Sequence, residues 1–169
     1  EKEKQNTSFE GDWRNKLDLN QSLPNIKSYL ALGFPYPVFY PKIRNGSVSS
    51  YSVITDYHFV LIQKLKRIQT SLETIYPGEK FKILVDSGKA FEKQLGASAK
   101  IGFIGKNTLL IHPVYGSYFF IGIILSTAEF PKIYSHSEMN FSCGACSICV
   151  RSCPSEALRD YVLNAGQCC

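Results

Sequence analysis

All six cysteines of this chain lie in its last 27 residues, and the first 142 residues contain none. Disulfides that staple a fold are spread along it, so this clustering argues for a metal. Four of them form the run Cys143-x2-Cys146-x2-Cys149-x3-Cys153-Pro154, which matches the bacterial ferredoxin spacing at every position, proline included. The chemistry needs that spacing. Three thiolates two residues apart on a tight loop can wrap one 4Fe-4S cubane. The fourth, expected at the start of a helix, points away and ligates another cluster. Gly144, Ala145 and Ser147 are small enough for backbone amides to approach the sulfurs. Structural zinc usually takes two cysteine pairs separated by a longer loop, which makes iron–sulfur the preferred reading.

Two clusters would need about eight thiolates, four to each, and the chain has six. Cys153 with Cys168 or Cys169 supplies at most three ligands to a second cluster. The expected metal set is Cys143, Cys146, Cys149, Cys153 and Cys168, with further ligands beyond Cys169. The opening on Glu1 rather than Met fits a stretch of something longer.

Composition narrows the class. A hydrophobic fraction of 44% and a charged fraction of 20% suit a packed core rather than a disordered chain. The longest apolar runs are far too short to span a bilayer, and no signal-peptide pattern opens the chain. A cytoplasmic protein with no membrane association is expected. The net charge of +5 permits a polyanionic partner but does not demonstrate one.

The pattern predicts a polar arm over 1–20, anchored only by Trp13, an α/β or α+β body over 21–134, and a metal module over 135–169. Within the body, strands are expected over 28–34, 81–85, 108–111 and 118–125, with a turn at Tyr115-Gly116. A helix is expected over 56–75. Tyr57, Leu61, Leu65, Ile68, Leu72 and Ile75 form one apolar stripe, Thr55 or Asp56 can cap its start, and Pro77-Gly78 stops it. Lys64, Lys66 and Arg67 fall on its wet side. A short helix is expected over 90–95 and a polar linker over 131–140.

Asp86 sits at the carboxyl end of a strand, the edge where α/β folds bind ligands. A carboxylic acid held there against an apolar cofactor could deliver a proton, although an aspartate before Ser-Gly also suits a turn or cap. His58 falls in the first helical turn, where the helix N-terminus favours a neutral, hydrogen-bonding imidazole. Tyr57 reads as core. Gly102-x2-Gly105-Lys106-Asn107-Thr108 is glycine-rich and basic but is not a P-loop, which needs four residues between its glycines. Its glycines would let backbone amides approach a large flat or anionic ligand, or would serve a plain turn. His112 closes the following strand, in either a surface or a cofactor role.

Several ordered stretches together resemble the epoxyqueuosine reductase family. They are Leu23-Pro24, Lys27-Ser28 and the Gly33–Pro37 segment GFPYP, then Asp56-Tyr57-His58 before a basic amphipathic helix, then Val85-Asp86-Ser87-Gly88. The sequence GFIGKNTLLI over 102–111, Gly116–Phe120, the ferredoxin run and Tyr161–Asn164 with Cys168 follow in order. Lys89, Phe103 and Asn164 depart from the family's usual proline, tryptophan and aspartate. The resemblance implies a nitroreductase-like, cobalamin-binding sandwich followed by a ferredoxin-like module. It implies reduction of epoxyqueuosine to queuosine at the wobble position of tRNA, using cobalamin and two 4Fe-4S clusters. In that reading Asp86 is the proton donor. His58, Gly102, Gly105, Lys106, Asn107 and Thr108 hold cobalamin. An external donor supplies electrons, and the protein is a monomer. A reductive dehalogenase and a non-catalytic iron–sulfur electron carrier are the alternatives.

Overall fold

The computed structural model describes residues 18–39, 41–43, 46–87, 91–131 and 141–168. Along these run β1 (Ser28–Pro35), β2 (Lys42–Ile43), β3 (Gly46–Ser47), α1 (Tyr57–Ile75), β4 (Phe81–Leu84), α2 (Glu92–Ser98), β5 (Phe103–Ile104), β6 (Leu110–Ile111), β7 (Phe119–Ser126), α3 (Ile148–Arg151), β8 (Leu158–Arg159) and β9 (Val162–Leu163). The arm's residues 1–17, with Trp13, and linker residues 132–140 lie outside the described set, as do Lys89 and Cys169.

The body is organised by a three-stranded sheet in the order β1-β7-β4. β7 pairs antiparallel with β1, from Ser28↔Ser126 to Pro35↔Phe119, and with β4, from Phe81↔Ser126 to Leu84↔Ile123. β1 and β4 therefore run parallel to each other on either side of β7, and both end at the same edge of the sheet. The ligand-edge rule that singled out Asp86 belongs to parallel sheets, whereas every pairing here is antiparallel. Asp86 nevertheless reaches that shared edge, two residues beyond the end of β4.

A strand buried on both faces reads as one apolar run, and β7 (FFIGIILS) does. Ile123, Ile124 and Leu125 are fully buried. Leu23, Leu84, Ile123 and Leu125 form the core cluster, with Tyr29, Leu95 and Ile121 packed against it. Leu95 brings α2 onto that face, and the Tyr29 hydroxyl donates to its carbonyl at 3.2 Å. α1 covers the other face through Leu61 and Leu65. It can lie close because Gly122 has no side chain: a Cβ there would meet Leu65 Cδ1 at 2.8 Å and Phe34 Cε2 at 3.0 Å. Each buried Leu or Ile is worth about 1.5–3 kcal/mol of transfer free energy.

Local chemistry sets the element ends. Asp56 caps α1, its carboxylate accepting the His58 amide. The apolar stripe buries only its first half, and Ile75 is exposed. β1 continues through Pro35, one residue past the expected end, because proline's missing N–H costs nothing on an edge strand. The strand expected over 108–111 shortens to β6. Thr108 takes φ +63° and its amide closes a turn onto the Gly105 carbonyl at 2.9 Å. The helix expected over 90–95 is found as α2, displaced toward its C-terminus. In the cysteine module, Cys149 lies within α3 and Cys153 follows its end, where the sequence had placed it at a helix start.

Candidate active site

The shared sheet edge gathers three elements around Asp86. β4 delivers Asp86 itself, held at φ +43°. The first turn of α1 delivers Tyr57 and His58, and the start of β7 delivers Phe120. Tyr57 lies flat on Phe120, with ring centroids 3.8 Å apart and planes 4° apart, and His58 stacks on the other side of Tyr57 at 4.1 Å. The Tyr57 hydroxyl donates to Asp86 Oδ2. His58 Nε2 stands 3.5 Å from the same oxygen, and its Nδ1 is 2.9 Å from Asp56 Oδ1. Carboxylates thus face both ring nitrogens, so the helix N-terminus is not the only influence on this histidine.

Burial raises the Tyr57 phenol well above its ordinary range, and the hydrogen bond to Asp86 and its charge add to the effect. Tyr57 is therefore a fixed donor, not a base. Asp56 is held below the usual carboxylate range, first by the His58 ring and then by the His58 amide. Glu92 is raised, mainly by burial, while it accepts the Ser87 amide at 3.0 Å and so fixes the residue after Asp86. Tyr57, Asp86, Glu92, Lys93 and Phe120 are among the walls of a cleft of about 410 Å³. Apolar walls with a few converging polar groups are the usual make-up of a ligand site.

The fold thus brings His58 and Asp86 together. The 102–108 loop does not line this cleft. A Cβ on Gly102 would collide with the Ile111 carbonyl, and one on Gly105 with the Ile111 side chain. The β5–β6 hairpin itself accounts for both glycines. Asn107 Oδ1 accepts the Leu109 amide at 3.2 Å. Lys106 turns to the cysteine module, pairing with Asp160 at 2.9 Å. Thr108 is linked to the cleft's surroundings through Lys93, whose Nζ donates to the Thr108 carbonyl at 2.8 Å. His112 Nδ1 accepts the amides of Val114 and Tyr115, at 3.0 and 3.3 Å, which ties it to its own turn.

Sequence reasoning assigned Tyr57 to the core and overlooked Phe120 and Glu92. The signal for Tyr57 was its place between Asp56 and His58 in the first helical turn, where the apolar stripe meets the capping residues. The pairing with Phe120 joins residues far apart in the chain and leaves no local trace.

Among the described residues no three His, Cys, Asp or Glu side chains are arranged to hold a single metal ion. Cys143, Cys146, Cys149 and Cys153 are free thiols. The Lys106 amide donates to Cys143 Sγ at 3.3 Å, and the Cys146 amide closes the loop onto the Cys143 carbonyl at 2.9 Å. The Cys153 thiol is held below its ordinary range, chiefly by the Leu158 amide, which favours the ligating thiolate. This donor set fits soft-metal or cluster chemistry.

The family model described as "Epoxyqueuosine reductase QueG, DUF1730" matches residues 16–87. An epoxyqueuosine reductase of Lactococcus garvieae is 34% identical over 160 residues, covering 90% of this chain and 45% of that protein. A solved epoxyqueuosine reductase from Streptococcus thermophilus superposes with a TM-score of 0.79 at 30% identity, covering 93% of this chain and 44% of that one. Another, solved with an epoxyqueuosine-modified tRNA-Tyr stem loop, gives a TM-score of 0.74 at 28% identity, covering 94% and 44%. Over the stretch it covers, somewhat under half the length of these proteins, the chain is a relative of the epoxyqueuosine reductases in both sequence and fold.

Proposed function

We propose that this chain carries the proton-donating side of an epoxyqueuosine reductase active site and the seat of one of its iron–sulfur clusters. The reaction takes an epoxide, two electrons and two protons to an alkene and water. Asp86 is the group that protonates the epoxide oxygen, with Tyr57 fixing its carboxyl and His58 placed to resupply the proton. The observation that carries this reading is the convergence of Tyr57 and His58 on one oxygen of Asp86. It occurs in a chain similar to a protein solved with an epoxyqueuosine-modified stem loop.

Cobalamin, when bound, would supply reducing power at the substrate carbon, fed by 4Fe-4S clusters on the cysteine thiolates. The edges of the Tyr57–Phe120 stack, with His58, would line one side of it, with Thr108 at the margin. A corrin is larger than the cleft, so this chain would hold only part of it. The body over 21–134 would be a nitroreductase-like cobalamin domain and 135–169 a ferredoxin-like module. The substrate would be tRNA, met as a monomer in the cytoplasm. No helix among the described residues is long and apolar enough to cross a membrane.

The test has two parts. Cob(II)alamin titration should show binding that survives Asp86→Asn, because macrocycle affinity comes from apolar and backbone contact. Single-turnover conversion of epoxyqueuosine tRNA by a full-length protein with both clusters should then slow by roughly 10²–10⁴-fold in that variant, the worth of a positioned general acid. Near-wild-type turnover would remove Asp86 from the mechanism, and absence of corrin binding would favour a plain electron carrier.

A further inference from the structure

Among the described residues, Lys106 of the 102–108 loop makes three polar contacts with the cysteine module. Its amide donates to Cys143 Sγ at 3.3 Å. Its carbonyl accepts the Tyr161 amide at 3.0 Å. Its ammonium pairs with Asp160 at 2.9 Å, and its side chain exposes only 12% of its surface. Asp160 and Tyr161 form the turn between β8 and β9, and Tyr161 is held there at φ +65°. A lysine whose task was to meet a ligand of the Asp86 cleft would point its ammonium into that cleft. This one is inserted between the body and the module. The glycines beside it let the hairpin close tightly enough to turn the Lys106 amide outward onto a thiol.

We propose that Lys106 is a positioning residue for the cluster bound through Cys143: with Asp160 it clamps the module to the body and sets that cluster's reduction potential. The proposal rests on the reading of Cys143 as a cluster ligand. An N–H···S bond and a nearby ammonium both favour the more negative, reduced state, whereas a nearby carboxylate opposes it. The Lys106 side chain is largely covered while 53% of the Asp160 side chain is exposed, so water partly screens the pair.

The test is an anaerobic redox titration followed by electron paramagnetic resonance, on a full-length protein containing this chain, reconstituted with iron and sulfide. Lys106→Met leaves Asp160 unopposed and should make reduction harder by about tenfold, about 59 mV for one electron. Asp160→Asn should shift the potential by a similar amount in the opposite direction. Lys106→Arg should stay near wild type. Opposite signs support the charge pair. Unmoved potentials, or shifts of the same sign, in variants with full iron and sulfide would overturn it. If Lys106→Met fails to hold a cluster, the sign of the Asp160→Asn shift decides. Stoichiometric zinc without sulfide in the wild type would overturn the cluster reading itself, and the proposal with it.

Discussion

The sheet body and the cysteine module are held together by different means. In the body, β7 is covered on both faces, and Ile123, Ile124 and Leu125 expose none of their surface. In the described part of the module, Ala157 is the sole buried hydrophobic residue, while Ile148 and Val162 are exposed by 64% and 60%. The body stands on burial, and its polar site is placed on a finished scaffold. The module offers free thiols, turns and short strands, so its order depends on what the thiols bind and on its seat against Lys106. The geometry around Asp86 can therefore be fixed by the scaffold alone, whereas the arrangement of the thiols has no such core behind it.

This difference is broken most directly at the centre of β7. Ile123→Ala should cost about 2–5 kcal/mol, the range for deleting a fully buried aliphatic side chain. Chemical denaturation followed by far-ultraviolet circular dichroism would read it. A loss below 1 kcal/mol would mean that the sheet is not the stabilising unit. Gly122→Ala tests the fit of α1 onto the same strand. The added methyl would meet Leu65 Cδ1 at 2.8 Å, and overpacking of this kind costs about 1–3 kcal/mol. With Leu65→Ala in the same chain, the combined loss should be smaller than the sum of the two single losses, since the truncated side chain leaves the space the methyl needs.

Removing iron with a chelator should act on the other side of the comparison. Amide-exchange protection over 141–168 should collapse, while the body's unfolding transition stays in place. A common loss of both would show that the module and body form one cooperative unit, joined more tightly than the Lys106 contacts indicate.

Sequence patterning carried much of this. α1 was legible because Leu61 and Leu65 repeat at helical spacing, and β7 because an unbroken apolar run implies burial on both faces. The ferredoxin spacing was legible as a motif, and the cluster it implies belongs to the proposed function. The pairing of β1 with β7, some 90 residues apart in sequence, was not legible, because strand partners are chosen by tertiary packing. The 102–108 loop stayed open between a ligand contact and a plain turn for a related reason. Glycine reports that something comes close but not what, and here it is the chain's own Ile111. Tyr57 was read as core because its spacing matched the stripe, although its hydroxyl serves Asp86. Asn164, in place of the family's aspartate, loses little locally: its side-chain oxygen accepts the Gly166 amide at 3.2 Å and caps the turn over Ala165–Gln167.

The smallest expected effect lies at Asp56, and it separates a helix cap from part of a charge relay. Its carboxylate accepts both the His58 amide and the His58 ring, each at 2.9 Å. These bonds hold its carboxyl below the ordinary range in the folded state. A depressed acid stabilises the fold above the unfolded-state pKa, about 3.9, and that contribution is lost as pH falls through the folded value. Asp56→Asn keeps an oxygen for the amide but removes the charge. The wild type should therefore melt slightly higher than the variant at neutral pH, and the gap should close as pH drops below about 4. Because Asp56 is exposed, the gap should also shrink in molar salt, where the Debye length is only about 3 Å. Asp56→Ala should melt lower still, by an amount that persists in salt, since it loses the cap as well. Thermal melts of the three proteins across pH and salt would read this directly. A gap between wild type and Asp56→Asn that is constant with pH would show that the Asp56–His58 contact carries no charge coupling, leaving Asp86 and Tyr57 as the electrostatic centre of the site.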